Sequence, residues 1–115
     1  MKVNIRSYES KAKDSIYIEP FDIWNLDMTL SKIILKALKY YKKNTHGIFK
    51  IDNTDVPKYL QSEETHCKCK MDYVLDEMIW AHKKIVKDSY FLDREEERIQ
   101  NGLRLFGKYY RGLWD

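Results

Sequence analysis

Met71-Asp72-Tyr73-Val74-Leu75-Asp76-Glu77-Met78-Ile79-Trp80-Ala81-His82-Lys83-Lys84-Ile85-Val86-Lys87 is the stretch on which the fold turns. Met71, Val74, Met78, Ala81 and Ile85 recur at helical spacing, and Leu75, Ile79, His82 and Val86 run beside them as a second line. A helix apolar over so wide an arc has to be covered on more than one side, so residues 66–87 are expected to form the central, most buried helix. Asp72, Asp76 and Glu77 fall early in it and Lys83, Lys84 and Lys87 late, the polarity that the helix dipole favours.

Upstream, Leu30, Ile33, Ile34, Ala37, Leu38 and Tyr41 give a second helical period, predicting a helix over 28–43 that stops at Asn44-Thr45-His46-Gly47. Lys32, Lys36, Lys39 and Lys43 lie opposite as a cationic stripe. Downstream, Asp93 with Glu96 three residues on reads as a capping-box-like start, and Ile99, Leu103, Phe106, Tyr110 and Leu113 carry a third helix over 93–113. Gly102, Gly107 and Gly112 each cost that helix about 1 kcal/mol relative to Ala, which implies the close approach of a neighbouring helix. Nearer the N-terminus, Val3 and Ile5 alternate with polar residues, and Ile16-Tyr17-Ile18 ends at Pro20, so two short strands, a hairpin, are expected.

Between the first two helices, Ile48 to Ile51 reads as extended, Asp55 as the cap of a short helix begun by Pro57, and Gln61 to Thr65 as a polar loop. The sequence therefore predicts an α+β fold, mostly α, in which a short N-terminal β element packs on three principal helices within one domain, 1–115. The expected core is Leu30, Ile34, Leu38, Val74, Met78, Ile85, Ile99, Leu103 and Phe106, with Trp80 at its edge.

Composition narrows the function classes. The 115 residues are 43% hydrophobic and 34% charged, with 4 Gly and 2 Pro, which excludes disordered and collagen-like chains. On folding, roughly 13,000 Å² of the unfolded chain's surface should be buried, enough for one core. No apolar run reaches the eighteen or so residues of a membrane span, and the N-terminus lacks the apolar core of a signal peptide. A net charge of +3 is too small for a general nucleic-acid binder. Cys67 and Cys69, one residue apart, are poorly spaced for a disulfide, so reduced thiols in a cell interior are expected.

Catalytic and metal motifs find little support. Cys67 and Cys69 beside His66, with His46 apart, provide no second ligand pair for zinc. The Glu-x-x-Glu pair of a magnesium-dependent nucleotide hydrolase does not occur, and the acids around Asp72 and Glu95 read as charged helix beginnings. No phosphate loop, nucleophile elbow or zinc-protease motif is present. A non-enzymatic protein with no metal and no cofactor is expected. What stands out is a face of the last helix: Asn101, Arg104, Lys108 and Arg111 at helical spacing, with Tyr109 beside them. Cations suit phosphate, aromatic rings suit base stacking and an amide suits a base or ribose edge, so these residues, with Trp80 for stacking and His46 for a polar contact, are the candidate ligand site. Nine Tyr and three Trp point to interfaces as well, and a homo-oligomer, a dimer first, is expected.

Several stretches together carry a resemblance: Pro20-Phe21-Asp22-Ile23-Trp24-Asn25-Leu26-Asp27-Met28-Thr29-Leu30, His46-Gly47, Asp52 with Asp55-Val56-Pro57, Tyr73 to Ala81, and Arg98 to Trp114. Residues 20–114 are similar to a family of small, largely uncharacterised tailed-bacteriophage accessory proteins. Tyr73 and His82 stand where that family tends to have Trp and Phe. The resemblance implies no catalytic residues. It implies a protein of the infected host's cytoplasm that acts by stoichiometric binding, and with the cationic, aromatic face of the last helix the expected function is sequestering a phosphate-bearing, cyclic or ADP-ribose-type signalling nucleotide of a host defence system, with direct inhibition of a host defence protein, or a minor virion component, as the alternatives.

Overall fold

Three helices form because three segments have apolar stripes at helical spacing, and in the computed structural model they are α1 (Leu26–Asn44), α2 (Lys68–Lys87) and α3 (Asp93–Tyr109). The structure describes residues 1–6, 11, 13–87 and 93–114, without the side chains of Asp93 and Arg94. The cap expected at Asp93 therefore lies outside the described residues. Two strands, β1 (Lys2–Asn4) and β2 (Ser15–Tyr17), pair antiparallel with Val3 opposite Ile16, and short 3-10 turns occupy Pro20–Ile23, Asn53–Asp55, Lys58–Leu60 and Tyr110–Gly112. The expected α+β, mostly α, class is what the chain adopts. None of the described helices is long and apolar enough to cross a membrane.

As expected, α2 is the centre. Met71, Val74, Leu75, Met78 and Ala81 are almost wholly buried, with α1 on one side and α3 on the other. Leu38 of α1, Ile51 and Val56 of the connection, and Leu105 and Tyr109 of α3 complete the cluster. The hairpin differs from the expectation in its seating, since all six strand residues are exposed. Below it, the N-terminal ammonium of Met1 meets Asp22 at 2.7 Å, and Asp22 also accepts the Glu19 backbone N–H.

The buried faces of α1 and α3 also depart from the reading. Leu30 is exposed, while Ser31 and Leu38 are buried and Ile34 packs against the core. On α3, Ile99, Gly102, Leu105 and Tyr109 face inward, whereas Leu103 and Phe106 are only half-buried, as is Ile85 of α2. The reason is Gly102. A Cβ there would lie 2.4 Å from the Cβ of Ala81 and 2.7 Å from the Glu77 carbonyl oxygen, so α3 meets α2 along the glycine. The buried meridian is then centred on a residue that apolar counting passes over. Gly112 would similarly meet Phe49 at 2.9 Å, but nothing lies within 4 Å of a Cβ at Gly107.

Candidate functional site

The connection between α1 and α2 has little regular backbone bonding of its own, so side chains must hold it in place. Ile51 and Val56 anchor it in the core, and the Ile51 N–H donates to the Thr65 carbonyl at 2.9 Å. Asn53 is its hub: the amide donates to the Ser62 carbonyl at 2.8 Å, and Oδ1 accepts the Ser62 N–H at 3.1 Å and the Lys70 ammonium at 2.8 Å. Lys70, 1% exposed, also donates to the carbonyls of Ser62 and Glu64 at 3.1 and 2.6 Å. Its three N–H donors meet three acceptors, none of them a carboxylate, which is how a lysine is tolerated in the interior.

On the other side of the connection is the densest charge cluster. Asp55, its side chain 3% exposed, accepts from Arg104 at 2.8 Å, from Lys108 at 2.6 Å and from the Tyr109 hydroxyl at 2.5 Å. Lys108 also pairs with Asp52 at 2.8 Å, and the Asp52 N–H donates to the Tyr109 hydroxyl at 3.1 Å. Arg104 turns its Nε and a terminal nitrogen to Oδ1 of Asn101, at 3.1 and 2.8 Å. Arg104, Lys108 and Tyr109 converge because they occupy successive turns of α3, and the 3-10 turn Asn53–Asp55 presents its carboxylate to that strip. Asp55 thus serves α3 in place of the capping role expected before Pro57.

The electrostatics follow from this arrangement. Burial pushes the Asp55 carboxyl up, but hydrogen bonds from Lys108, Tyr109 and Arg104 outweigh it and hold the group below the ordinary Asp value. Lys108 is held above the ordinary lysine value by Asp52 and Asp55, and Tyr109 is raised by burial and by its bond to Asp55. Two carboxylates and two cations compensate one another, a charge balance suited to clasping the connection onto α3.

The candidate residues are only partly assembled. Asn101, Arg104, Lys108 and Tyr109 lie together, although the Tyr109 ring is buried and stacked on Phe49 at 5.5 Å. Arg111 is exposed in the turn beyond α3, and His46 is exposed just after α1. Trp80 is engaged elsewhere: the Arg98 guanidinium lies 3.9 Å from its ring centroid and is itself bonded to Glu77 at 2.9 Å. Sequence reasoning missed Asp52, Asp55 and Lys70. Only Lys70 left a signal, because it falls four residues before Val74 on the apolar stripe of α2. Among the described residues, no group of three His, Cys, Asp or Glu is placed to hold a metal. No family model matches the chain, and no curated protein or solved structure matches it either.

Proposed function

We propose that this chain is a non-catalytic protein that acts by stoichiometric binding to another protein through the uncovered apolar face of its N-terminal hairpin. One observation carries the reading. Val3 and Ile16 oppose each other across the hairpin, Ile5 and Ile18 follow two residues on, and all four are exposed. Directly opposed residues of a strand pair share a face, so Val3 and Ile16 lie on one side of the hairpin. A two-stranded hairpin is marginal in water unless a further layer covers it, so this face favours a partner that supplies the layer. Phe21, 79% exposed, extends the surface toward α1. The resemblance to phage accessory proteins supports a host defence protein or a virion component as the partner, met in the host cytoplasm.

The test is capture from host-cell lysate by the tagged full-length chain and by a Val3→Asp, Ile16→Asp variant. The wild type should retain a partner in stoichiometric amount, and the variant should lose it while melting as the wild type does. Equal capture by both would refute the hairpin as the contact.

A second reading is sequestration of a phosphate-bearing signalling nucleotide of the cyclic or ADP-ribose type. It is favoured by the half-exposed Arg104 side chain beside the exposed Asn101, with the exposed Arg111 beyond. Melting against cyclic dinucleotides, cyclic mononucleotides and ADP-ribose isomers tests it, because a ligand at a hundred times its Kd adds about 2.7 kcal/mol to apparent stability. Arg104→Ala should abolish the shift.

A further inference from the structure

The helix α1 carries more apolar surface than the fold covers. Ile34, Leu38 and Tyr41 pack on the core. Leu26, Leu30, Ile33, Ala37 and Tyr40 form a second stripe beside them that stays exposed, Leu30 at 42%. This stripe borders a groove. Ile33, Ala37 and Tyr41 on one wall face Phe106 of α3 and, beyond its end, Tyr110 and Leu113 on the other, across a cleft of about 320 Å³. A wider depression that shares Ile33, Ala37 and Tyr41 continues from the cleft over α1 to Tyr40.

The two walls are tied together within the fold. The Tyr41 hydroxyl donates to the carbonyls of Gly112 and Trp114 at 3.4 and 3.3 Å, which fastens the end of α1 to the turn after α3. Phe106 meets His82 edge-on at 5.1 Å and Tyr110 edge-on at 5.3 Å, so neighbouring rings fix its position. A groove with fixed walls spares an occupant the cost of ordering them.

Backbone chemistry selects the form of that occupant. Both walls are helical, so their backbone N–H and C=O groups are bonded within the helices and present no edge to which a strand could pair. An extended segment would bury its own polar backbone against Ile33 and Phe106 with nothing there to bond it. A helix arrives with its backbone already satisfied. The exposed stripe recurs at intervals of four, three, four and three residues, the spacing at which a second helix can interdigitate.

Charge selects its chemistry. Lys32, Lys36 and Lys39 each precede a residue of the stripe by one position and Lys43 continues the row, so all four line the same flank. All are exposed, and among the described residues no carboxylate lies within ion-pairing distance of any of them. Lys42, on the inner flank, is by contrast paired with Asp76 at 2.5 Å. The α1 of a second copy would bring four more lysines to this row. A flat anionic surface would meet the lysines but leave the cleft beside Phe106 unfilled. A helix with a row of carboxylates along one side of its apolar face satisfies both.

We propose that the groove between α1 and the Phe106–Tyr110 edge takes an acidic amphipathic helix of a different protein, its apolar face in the cleft and its Glu or Asp row along Lys32, Lys36, Lys39 and Lys43. The hairpin face is a separate surface and takes no part.

The probe is a labelled synthetic helix of about 16 residues, enough to span the stripe, with Leu at heptad spacing and a row of Glu on one flank. Fluorescence anisotropy should show saturable one-to-one binding to the full chain. Exchanging the peptide's Glu row for Lys should weaken binding about tenfold or more, as several exposed ion pairs are lost together. Lys36→Glu with Lys39→Glu should do the same to the Glu helix and should favour the Lys helix instead. Ile33→Gln with Ala37→Gln, both at exposed positions, should abolish binding while melting persists; Tyr110→Ser on the opposite wall serves where that pair fails to fold. Val3→Asp with Ile16→Asp should leave binding unchanged, so failure of the hairpin reading and failure of the groove are distinguishable. The proposal is overturned by no binding of the Glu helix, by equal binding of the Glu and Lys helices, or by binding that survives both wall variants or is lost in the hairpin variant. A dimer in light scattering that the Gln pair dissociates would put a second copy in the groove, and sedimentation with phosphatidylserine-containing vesicles that the Gln pair abolishes would put a membrane surface there; either result overturns it too.

Discussion

The carboxylate of Asp55 and the hydroxyl of Tyr109, 54 positions apart in the chain, lie 2.5 Å from each other beneath Arg104 and Lys108. This contact closes the connection onto α3 and makes a strip of cations that reads as a solvated helix face into part of the tertiary structure.

Removing the clasp should therefore lower stability. Asp55→Asn keeps the shape and loses the charge, and a hydrogen bond to a charged group contributes about 1.5–3 kcal/mol, so chemical denaturation should show a loss of that order. Arg104→Ala with Lys108→Ala should also lower the melting temperature, where a solvated face would give no change. Because Asp55 is held below its ordinary value, its contribution is complete above about pH 4, where the unfolded carboxyl is ionised, and is lost as pH falls through the still lower folded value.

A second pH window belongs to His82. Burial lowers its pKa, partly offset by its 2.7 Å hydrogen bond to the Met78 carbonyl, and its ring meets Phe106 edge-on at 5.1 Å. The folded state favours the neutral imidazole more than the unfolded chain does, where it titrates near 6.5. As pH drops through about 6.5 the unfolded state takes up a proton more readily than the folded state, so stability should fall as pH is lowered through that value. His82→Phe should flatten melting temperature across that window; an unchanged slope would show that other groups set it.

The glycines of α3 should respond in opposite directions. Gly102→Ala drives a methyl into Ala81 and the Glu77 carbonyl, backbone that cannot move aside, and overpacking of this kind costs about 1–3 kcal/mol. Gly107→Ala meets nothing and should gain about 0.5–1 kcal/mol of helix stability. Paired urea melts decide it.

Lys70→Met preserves most of the side-chain volume but leaves the Asn53 and Glu64 acceptors without their donor. The loss should be about 1–3 kcal/mol, with faster hydrogen exchange concentrated in residues 53–64. Unchanged exchange there would refute the view that Lys70 holds the connection.

The periodicity of Met71 to Val86 was enough to mark α2 as the buried centre, because an arc of apolar residues that wide admits no other place, and all three helices end within four residues of the expected bounds. The faces of α1 and α3 were not legible. Gly102 and Ser31 mark the close contacts, and neither has apolar weight, so counting hydrophobes chose Leu103 and Leu30 instead. The candidate site divides the same way. Arg104, Lys108 and Tyr109 sharing a face is helix geometry, which sequence spacing determines. That Asp55 and Asp52 neutralise them, and that Lys70 finds three acceptors in a loop, depends on segments brought together from distant parts of the chain. Only the folded backbone decides such pairings, because the partners' separation in sequence carries no periodic signal.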